Sequence, residues 1–467
     1  MDNKKHIQSV ELVADKVKSF YENKKPFRIF HGSTNSTRTL TFKRDELLDV
    51  SMLNCNISID TKAQTAIVEP NVPMDKLLAA TLYLGLLPPV ITEFPGITVG
   101  GGIQGGAGES SSFKRGFFSQ NINWCEMILA DGTVIKSSSE ENSDLFYGSA
   151  GSMGTLGVIT AVEIRLVPAK KYVQLTYIPV NSFESANQTM LEQSNQDIDF
   201  LDGIMFGSDS GLIIIGQLTD GVYGKVQRFS RAHDQWFYLH AEVINSQGKE
   251  YSETVPLTDY LFRYDRGAFW VGRFAFERFK VPYNRFTRYL LNPILHTRKL
   301  YQALQESGAS QEHIVQDLSL PYDQAVPFLR YIHDELNIYP LWLCPIKPAP
   351  KSPFLCNSLP TNLVINVGVW GPRTPNYDQF VSANRSIELK LAELQGKKWL
   401  YAHTYYNEAE FWNIYDKNWY DKLRTKYRAT TLPDIYTKTK VRERVEVDAK
   451  RGLFKTIFGR AKLRIVD

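Results

Sequence analysis

The chain has 467 residues, 43% of them hydrophobic and 22% charged, with a formal net charge of +4; this length argues for two domains, or one with a large insertion, over a single core. The basic residues are spread along the chain instead of forming a stripe, which argues against a nucleic-acid partner. Four cysteines without a CxxC pair argue against a metal centre and suit reduced thiols in a cytoplasmic setting, and no apolar run of about eighteen residues offers a spanning helix.

The first twenty residues carry charges throughout and lack the apolar centre of a signal peptide. Ile7, Val10, Val13, Val17 and Phe20 recur at helical spacing, which predicts an amphipathic helix over about 4–20. "PFRIFHGSTNSTRTL" then reads as strand, polar turn, strand, and "ISIDTKAQTAIVEPNV" as two short strands around a turn. "PMDKLLAATLYLGL" reads as a helix opened by Pro73 and closed near Gly85. Asp131-Gly132 in "NWCEMILADGTVIKSS" is a hairpin signal, and "GTLGVITAVEIRLVPA" is one long strand or a strand pair. From about residue 179 the texture changes. Strands such as "YVQLTYIPV", "GLIIIGQL", "IYPLWLCPI" and "NLVINVGVW" alternate with helical segments such as "SFESANQTMLEQSN", which suits a sheet covered by helices. The aromatic content of 12% fits a large apolar cavity and a packed core equally well.

The densest chemistry-bearing stretch is "TVGGGIQGGAGESSSFKRG", residues 98–116, with seven glycines and three consecutive serines. Glycine lets a backbone approach a ligand without an intervening Cβ, and clustered amides bind oxyanions, so the stretch is a candidate phosphate or pyrophosphate cradle. It lacks the Lys-Ser/Thr ending of a P-loop, and no apolar strand leads directly into it as a dinucleotide fingerprint requires. A second small-residue turn, "FHGSTNST" at 30–37, and a third, "GSMGTLGVIT" at 151–160, accompany it.

An early polar turn, a central glycine run and a late glycine turn delivering a strand together resemble the PCMH-type FAD-binding domain of the vanillyl-alcohol-oxidase superfamily. The resemblance narrows with "TVGG", "ESSSFKRGFF", "LADG", "ENSDLFY", "GTLG", "EIRLVPAKKYV", "IVQDLSLP", "IYPLWLCP" and "EFWNIYDKNWYDKLR", which occur in order over about residues 85–427. These blocks are similar to the delta-24 sterol reductase (24-dehydrocholesterol reductase, or diminuto) family. The resemblance implies an α+β chain: an FAD domain over 1–178, a cap or substrate domain over 179–425 with an antiparallel sheet covered by helices, and a segment over 426–467 returning to the FAD domain. It also implies that Thr98, Val99, Gly100, Gly101, Gly102, Gly105, Gly106, Gly108 and Ser111 hold the FAD phosphates. His31, Gly32, Ser33, Thr34 and Asn35 would form the early loop, and Gly154, Gly157, Val158 and Ile159 the wall beside the flavin. Relatives that tether the flavin use a histidine where Thr34 stands here, so FAD is expected to be non-covalent, with NADPH as electron donor. Members of the family usually begin with a membrane-anchoring segment, whereas this chain starts past that position.

The implied reaction is reduction of a carbon–carbon double bond in a sterol or related terpenoid. An isolated alkene has no carbonyl to receive negative charge, so hydride transfer needs a proton from the protein. Tyr405 and His403 in "YAHTYYNEAEFW" and Glu109 inside the glycine run are the candidate acids, while Asp317 and Asn366 read as structural. Fold membership leaves open an FAD-dependent oxidase or dehydrogenase of an alcohol, a double-bond isomerase, and a lipid-binding protein without turnover. At the C-terminus, Leu453, Phe454, Ile457, Phe458, Ala461 and Ile465 fall at helical spacing among Lys450, Arg451, Lys455, Arg460, Lys462 and Arg464. This basic amphipathic pattern suits either peripheral contact with an anionic membrane or a helix docked on its own domain, and Gly452 and Gly459 weaken it as a helix.

Overall fold

The computed structural model describes residues 3–55, 57–372, 376–441, 444–459 and 463–466. The N-terminal helix runs over Asn3–Glu22, and its apolar stripe of Val10, Val13 and Val17 packs on Phe27, Leu48 and Ile128. Beyond it lies a five-stranded antiparallel sheet in the order Ile57–Asp60, Thr65–Val68, Val158–Arg165, Ile122–Ile128, Val134–Ser138. The hairpin signal at Asp131-Gly132 joins the last hydrogen-bonded pair of strands, Ile128 facing Val134, and Gly132 supplies φ of +89°. Within "GTLGVITAVEIRLVPA" the long strand is Val158–Arg165, and Val167–Pro168 pairs separately with Leu86–Leu87.

The second sheet has eight antiparallel strands in the order Tyr251–Pro256, Tyr172–Val180, Ser210–Thr219, Phe200–Gly207, Leu341–Ile346, Val364–Pro372, His313–Pro321, Lys397–Lys398. Successive side chains on a strand point to opposite faces, and here both faces are covered. Trp342, Cys344 and Ile346 join a core shared with the first sheet, whereas Leu341 and Leu343 face the helices Phe183–Ser194, Ala325–Tyr331 and Tyr377–Glu393. Burial on both sides is why "GLIIIGQL" and "LWLCPI" read as continuous apolar runs.

The chain thus has the expected α+β class with a large helix-covered antiparallel sheet. Residue 178 lies inside Tyr172–Val180, all of which pairs in the larger sheet. The return to the FAD domain begins before residue 426. In the helix Lys417–Lys426, Tyr420 Oη donates to Thr155 Oγ1 at 2.8 Å and Lys426 meets Asp144 at 2.7 Å.

The C-terminal helix covers only Ala449–Ile457; Arg460, Ala461 and Lys462 lie outside the described residues. Arg464 and Ile465 belong instead to a strand, Arg464–Val466, parallel to Thr41–Lys43. Gly452 does not weaken this helix. A Cβ there would stand 2.6 Å from Ser307 Cβ and 2.8 Å from the Ala303 carbonyl, so glycine is what lets it cross the helix Thr297–Ser307 closely.

Candidate active site

A cavity of about 570 Å³ is bounded by the early loop, the glycine run, the inner face of the large sheet and the C-terminal helix. Nine of the expected FAD-loop residues line it: His31, Ser33, Thr34, Asn35, Thr98, Gly101, Gly105, Gly106 and Gly108. The glycine run is not a bare turn. Thr98 Oγ1 accepts from the Gly101 amide at 3.2 Å and starts a short helix, Val99–Gln104. A Cβ on Gly101 would meet only that Thr98 oxygen, and Gly106, at φ +72°, turns the chain back out of the helix.

The other expected cofactor contacts do not reach the cavity, each for a local reason. Val99 and Gly102 are buried under the helix, and Gly100 is pressed against Pro70. Ser111 Oγ donates to the Pro89 carbonyl and to Glu109. Gly154 abuts Gln104 and Gly157 abuts the Ile128 carbonyl. Val158 and Ile159 point into the core, and Gly32 is an exposed turn at φ +83°. From the late turn it is Met153 that lines the cavity.

The cavity wall also carries cations that sequence reasoning missed: Arg28, Arg38 and Lys438. None has a carboxylate within ion-pair distance among the described residues, and Arg28 Nε and Arg38 Nε lack hydrogen-bond partners there. Burial and the other two cations push the Lys438 amine down to about 7, and burial with Arg28 brings Arg38 down to about 9. His31 is driven to about 4 by burial and by Lys438, so it is neutral. Arg38 is buried, donating to the Leu400 and Ala402 carbonyls, and Arg28 and Lys438 are half-buried; such positive charge without a carboxylate partner suits an anionic ligand. The diphosphate of FAD has that chemistry, and the residues present fit it. The signal was in the sequence: Arg28 and Arg38 flank the early polar loop on both sides.

A second part of the wall is aromatic. Phe269 stacks on Tyr264 at 3.8 Å and tilts against Trp370 and Trp342 at 4.3 and 5.3 Å, and Phe94 packs edge-on to Phe269 and Tyr301. Two carboxyls line the cavity, Glu93 and Asp317. Asp317 Oδ1 accepts from Asn366 at 3.0 Å and Oδ2 from the Tyr401 hydroxyl; burial raises it to about 6 against those bonds. Asp317 and Asn366, expected to be structural, are therefore both cavity residues.

The three expected acids are not on the cavity wall. Tyr405 packs beside Phe380 with the outer helices. His403 is buried, Nδ1 lies 3.2 Å from Thr37 Oγ1, and its carbonyl accepts from Gln316 and Lys398. Burial, Arg38 and Lys398 hold its imidazole down near 3, so the ring is neutral and lacks the acidic imidazolium proton. Glu109 is buried and accepts from Ser110 Oγ at 2.7 Å, from the Ser111 amide at 2.9 Å and from Ser111 Oγ.

No helix among the described residues is long and apolar enough to cross a membrane. Comparison with known proteins agrees with the geometry. Residues 6–138 match the model of the FAD binding domain family. The chain is 33% identical to the Delta(24)-sterol reductase of Homo sapiens over 82% of this chain and 75% of the relative. It is 27% identical to the Delta(24)-sterol reductase homolog dhcr-24 of Caenorhabditis elegans over 93% and 87%, and 28% identical to the Delta(24)-sterol reductase of Arabidopsis thaliana over 89% and 80%. With an FAD-binding domain, a cation-lined cavity beneath it and this extent of likeness across both halves, the chain belongs to the Delta(24)-sterol reductase family and is an FAD-dependent oxidoreductase.

Proposed function

We propose that the protein reduces a carbon–carbon double bond in a sterol or related terpenoid, with electrons drawn from NADPH. The observation that carries this reading is one cavity that joins uncompensated cations to an apolar aromatic wall. Arg28, Arg38 and Lys438 would hold the FAD diphosphate beside Thr98, Gly101 and the 31–35 loop. Thr34, standing where a tethering histidine would be, leaves the flavin non-covalent. Bound FAD supplies the hydride.

The chain's own residues do the rest. Phe94, Phe269, Trp342 and Trp370 exclude water and fix a hydrocarbon chain by contact. An acid on the wall gives the proton that an isolated alkene requires. Leu453 and Ile457 of the C-terminal helix close one side, and its Phe454 and Phe458 are exposed beside Lys450 and Arg451. That surface suits docking on an anionic bilayer from which a lipid substrate is drawn; sedimentation with and without anionic vesicles tests it.

Purified holoprotein mixed anaerobically with NADPH is expected to bleach, and to regain its yellow colour when a sterol with an isolated side-chain double bond is added. Bleaching by an alcohol with rapid recolouring in air would instead establish an oxidase.

A further inference from the structure

Four ionisable side chains meet behind the aromatic wall: Glu93, Glu109, Asp202 and Arg263. Arg263 and Asp202 form an ion pair at 2.8 Å with neither side chain exposed, so their charges cancel. Glu93 and Glu109 remain, both buried, and neither forms an ion pair among the described residues; Arg263 is the cation that acts on both. Burial raises both carboxyls, and Glu109 raises Glu93 further; two neighbouring carboxyls in a buried site do not both ionise.

Their surroundings decide which keeps the proton. Glu109 accepts hydrogen bonds from Ser110 Oγ, the Ser111 amide and Ser111 Oγ, which stabilises an anion. Glu93 Oε1 has no partner among the described residues, and Glu93, unlike Glu109, lines the cavity next to Phe94. An unpartnered oxygen favours the neutral acid.

We propose that Glu93 is the catalytic acid that protonates the alkene, with Glu109 the fixed anion that keeps it protonated at rest. Burial, then Glu109, hold the Glu93 carboxyl well above the usual carboxylate range. Asp317 is a poorer donor, since both of its oxygens already accept hydrogen bonds.

This assignment rests on the reductase reading. In the step, the Glu93 O–H bond breaks and a C–H bond forms at the less substituted alkene carbon. The neighbouring carbon takes hydride, with its electron pair, from the reduced flavin. Glu93 is left as a carboxylate and regains a proton from solvent, while NADPH restores the two electrons. One alkene, one hydride and one proton give one saturated bond.

The test uses the full-length holoprotein as wild type, Glu93→Gln, Glu93→Asp and Asp317→Asn. Infrared spectra at neutral pH, without substrate, are expected to show a protonated-carboxyl stretch that shifts in D2O. It should vanish in Glu93→Gln, move in Glu93→Asp and persist in Asp317→Asn. In anaerobic single turnovers, bleaching by NADPH should be unchanged in Glu93→Gln, while reoxidation by the sterol slows roughly 100- to 10,000-fold. Glu93→Asp should recover part of that loss. A carboxyl band that survives in Glu93→Gln, or reoxidation at the wild-type rate, overturns the assignment. Wild-type protein that bleaches with NADPH but is never reoxidised by the sterol overturns the reductase reading, and the infrared result then still reports separately which residue holds the proton.

Discussion

Arg263 and Asp202 lie 2.8 Å apart with no solvent reaching either side chain. Asp202 Oδ2 also accepts from Tyr264 Oη at 3.1 Å and Trp342 Nε1 at 3.0 Å, and the guanidinium lies 4.1 Å from the Tyr260 ring centre. The pair ties the large sheet to the aromatic turn that walls the cavity. Removing one partner strands the other charge, which costs about 3–5 kcal/mol. Arg263→Met is therefore expected to lower unfolding free energy by that amount in urea titrations, whereas the double variant Arg263→Met with Asp202→Asn should recover part of it.

Arg38→Gln and Lys438→Gln should weaken FAD without unfolding the protein. A charge-assisted hydrogen bond is worth about 1.5–3 kcal/mol, which corresponds to roughly 10- to 100-fold in Kd. Quenching of flavin fluorescence during titration of the apoprotein measures it.

Cofactor affinity should also depend on pH through Lys438. In the apoprotein its amine loses its proton near 7, and a diphosphate beside it raises that value. Binding therefore takes up a proton above about pH 7, and affinity is greatest below that point and falls as pH rises through it. Calorimetric titrations in buffers of different ionisation enthalpy detect the proton; an affinity that climbs with pH contradicts the sign.

The N-terminal helix is fastened by His6, whose ring bridges Glu69 at 2.8 Å and Glu126 at 3.1 Å. Hydrogen bonds to Glu126 and Glu69 raise its imidazole from 6.5 to about 9. A raised histidine stabilises fully below about pH 6.5, and that contribution, about 3 kcal/mol at most, is lost as pH rises through about 9. His6→Gln should remove this slope from a plot of stability against pH.

Gly452→Val should loosen the cavity wall. Its side chain would collide with Ser307 and with the Ala303 backbone, and overpacking of this kind costs roughly 1–3 kcal/mol. Thermal unfolding and faster proteolysis after the helix Thr297–Ser307 would register it.

The elements were legible wherever one local rule governs them: the Asp131-Gly132 hairpin, the Pro73-started helix, and the doubly buried strands. Of the glycines expected at the cofactor, Gly101, Gly105, Gly106 and Gly108 line the cavity, whereas Gly32, Gly100, Gly102, Gly154 and Gly157 do not. Glu93, Arg263 and Asp202 were not legible, because Glu93 and Arg263 stand 109 and 61 positions from Asp202 in the sequence and tertiary packing alone makes them neighbours. A lone carboxylate in the apolar stretch "PPVITEFPGI" was the available signal for Glu93. His403 and Tyr405 stay off the cavity wall because the segment carrying them is held by hydrogen bonds from Gln316 to the His403 carbonyl and from the Tyr405 amide to Glu388.

The Phe27 amide donates to the Thr431 carbonyl at 3.0 Å, and Ala429 and Leu432 share a core with Val10, Val13 and Val17 of the first helix. The lobe that contains the first helix is thus completed by a segment that follows the large sheet in the sequence. A chain cut short of residue 429 would therefore leave Phe27 and the inner face of the first helix with part of their core uncovered.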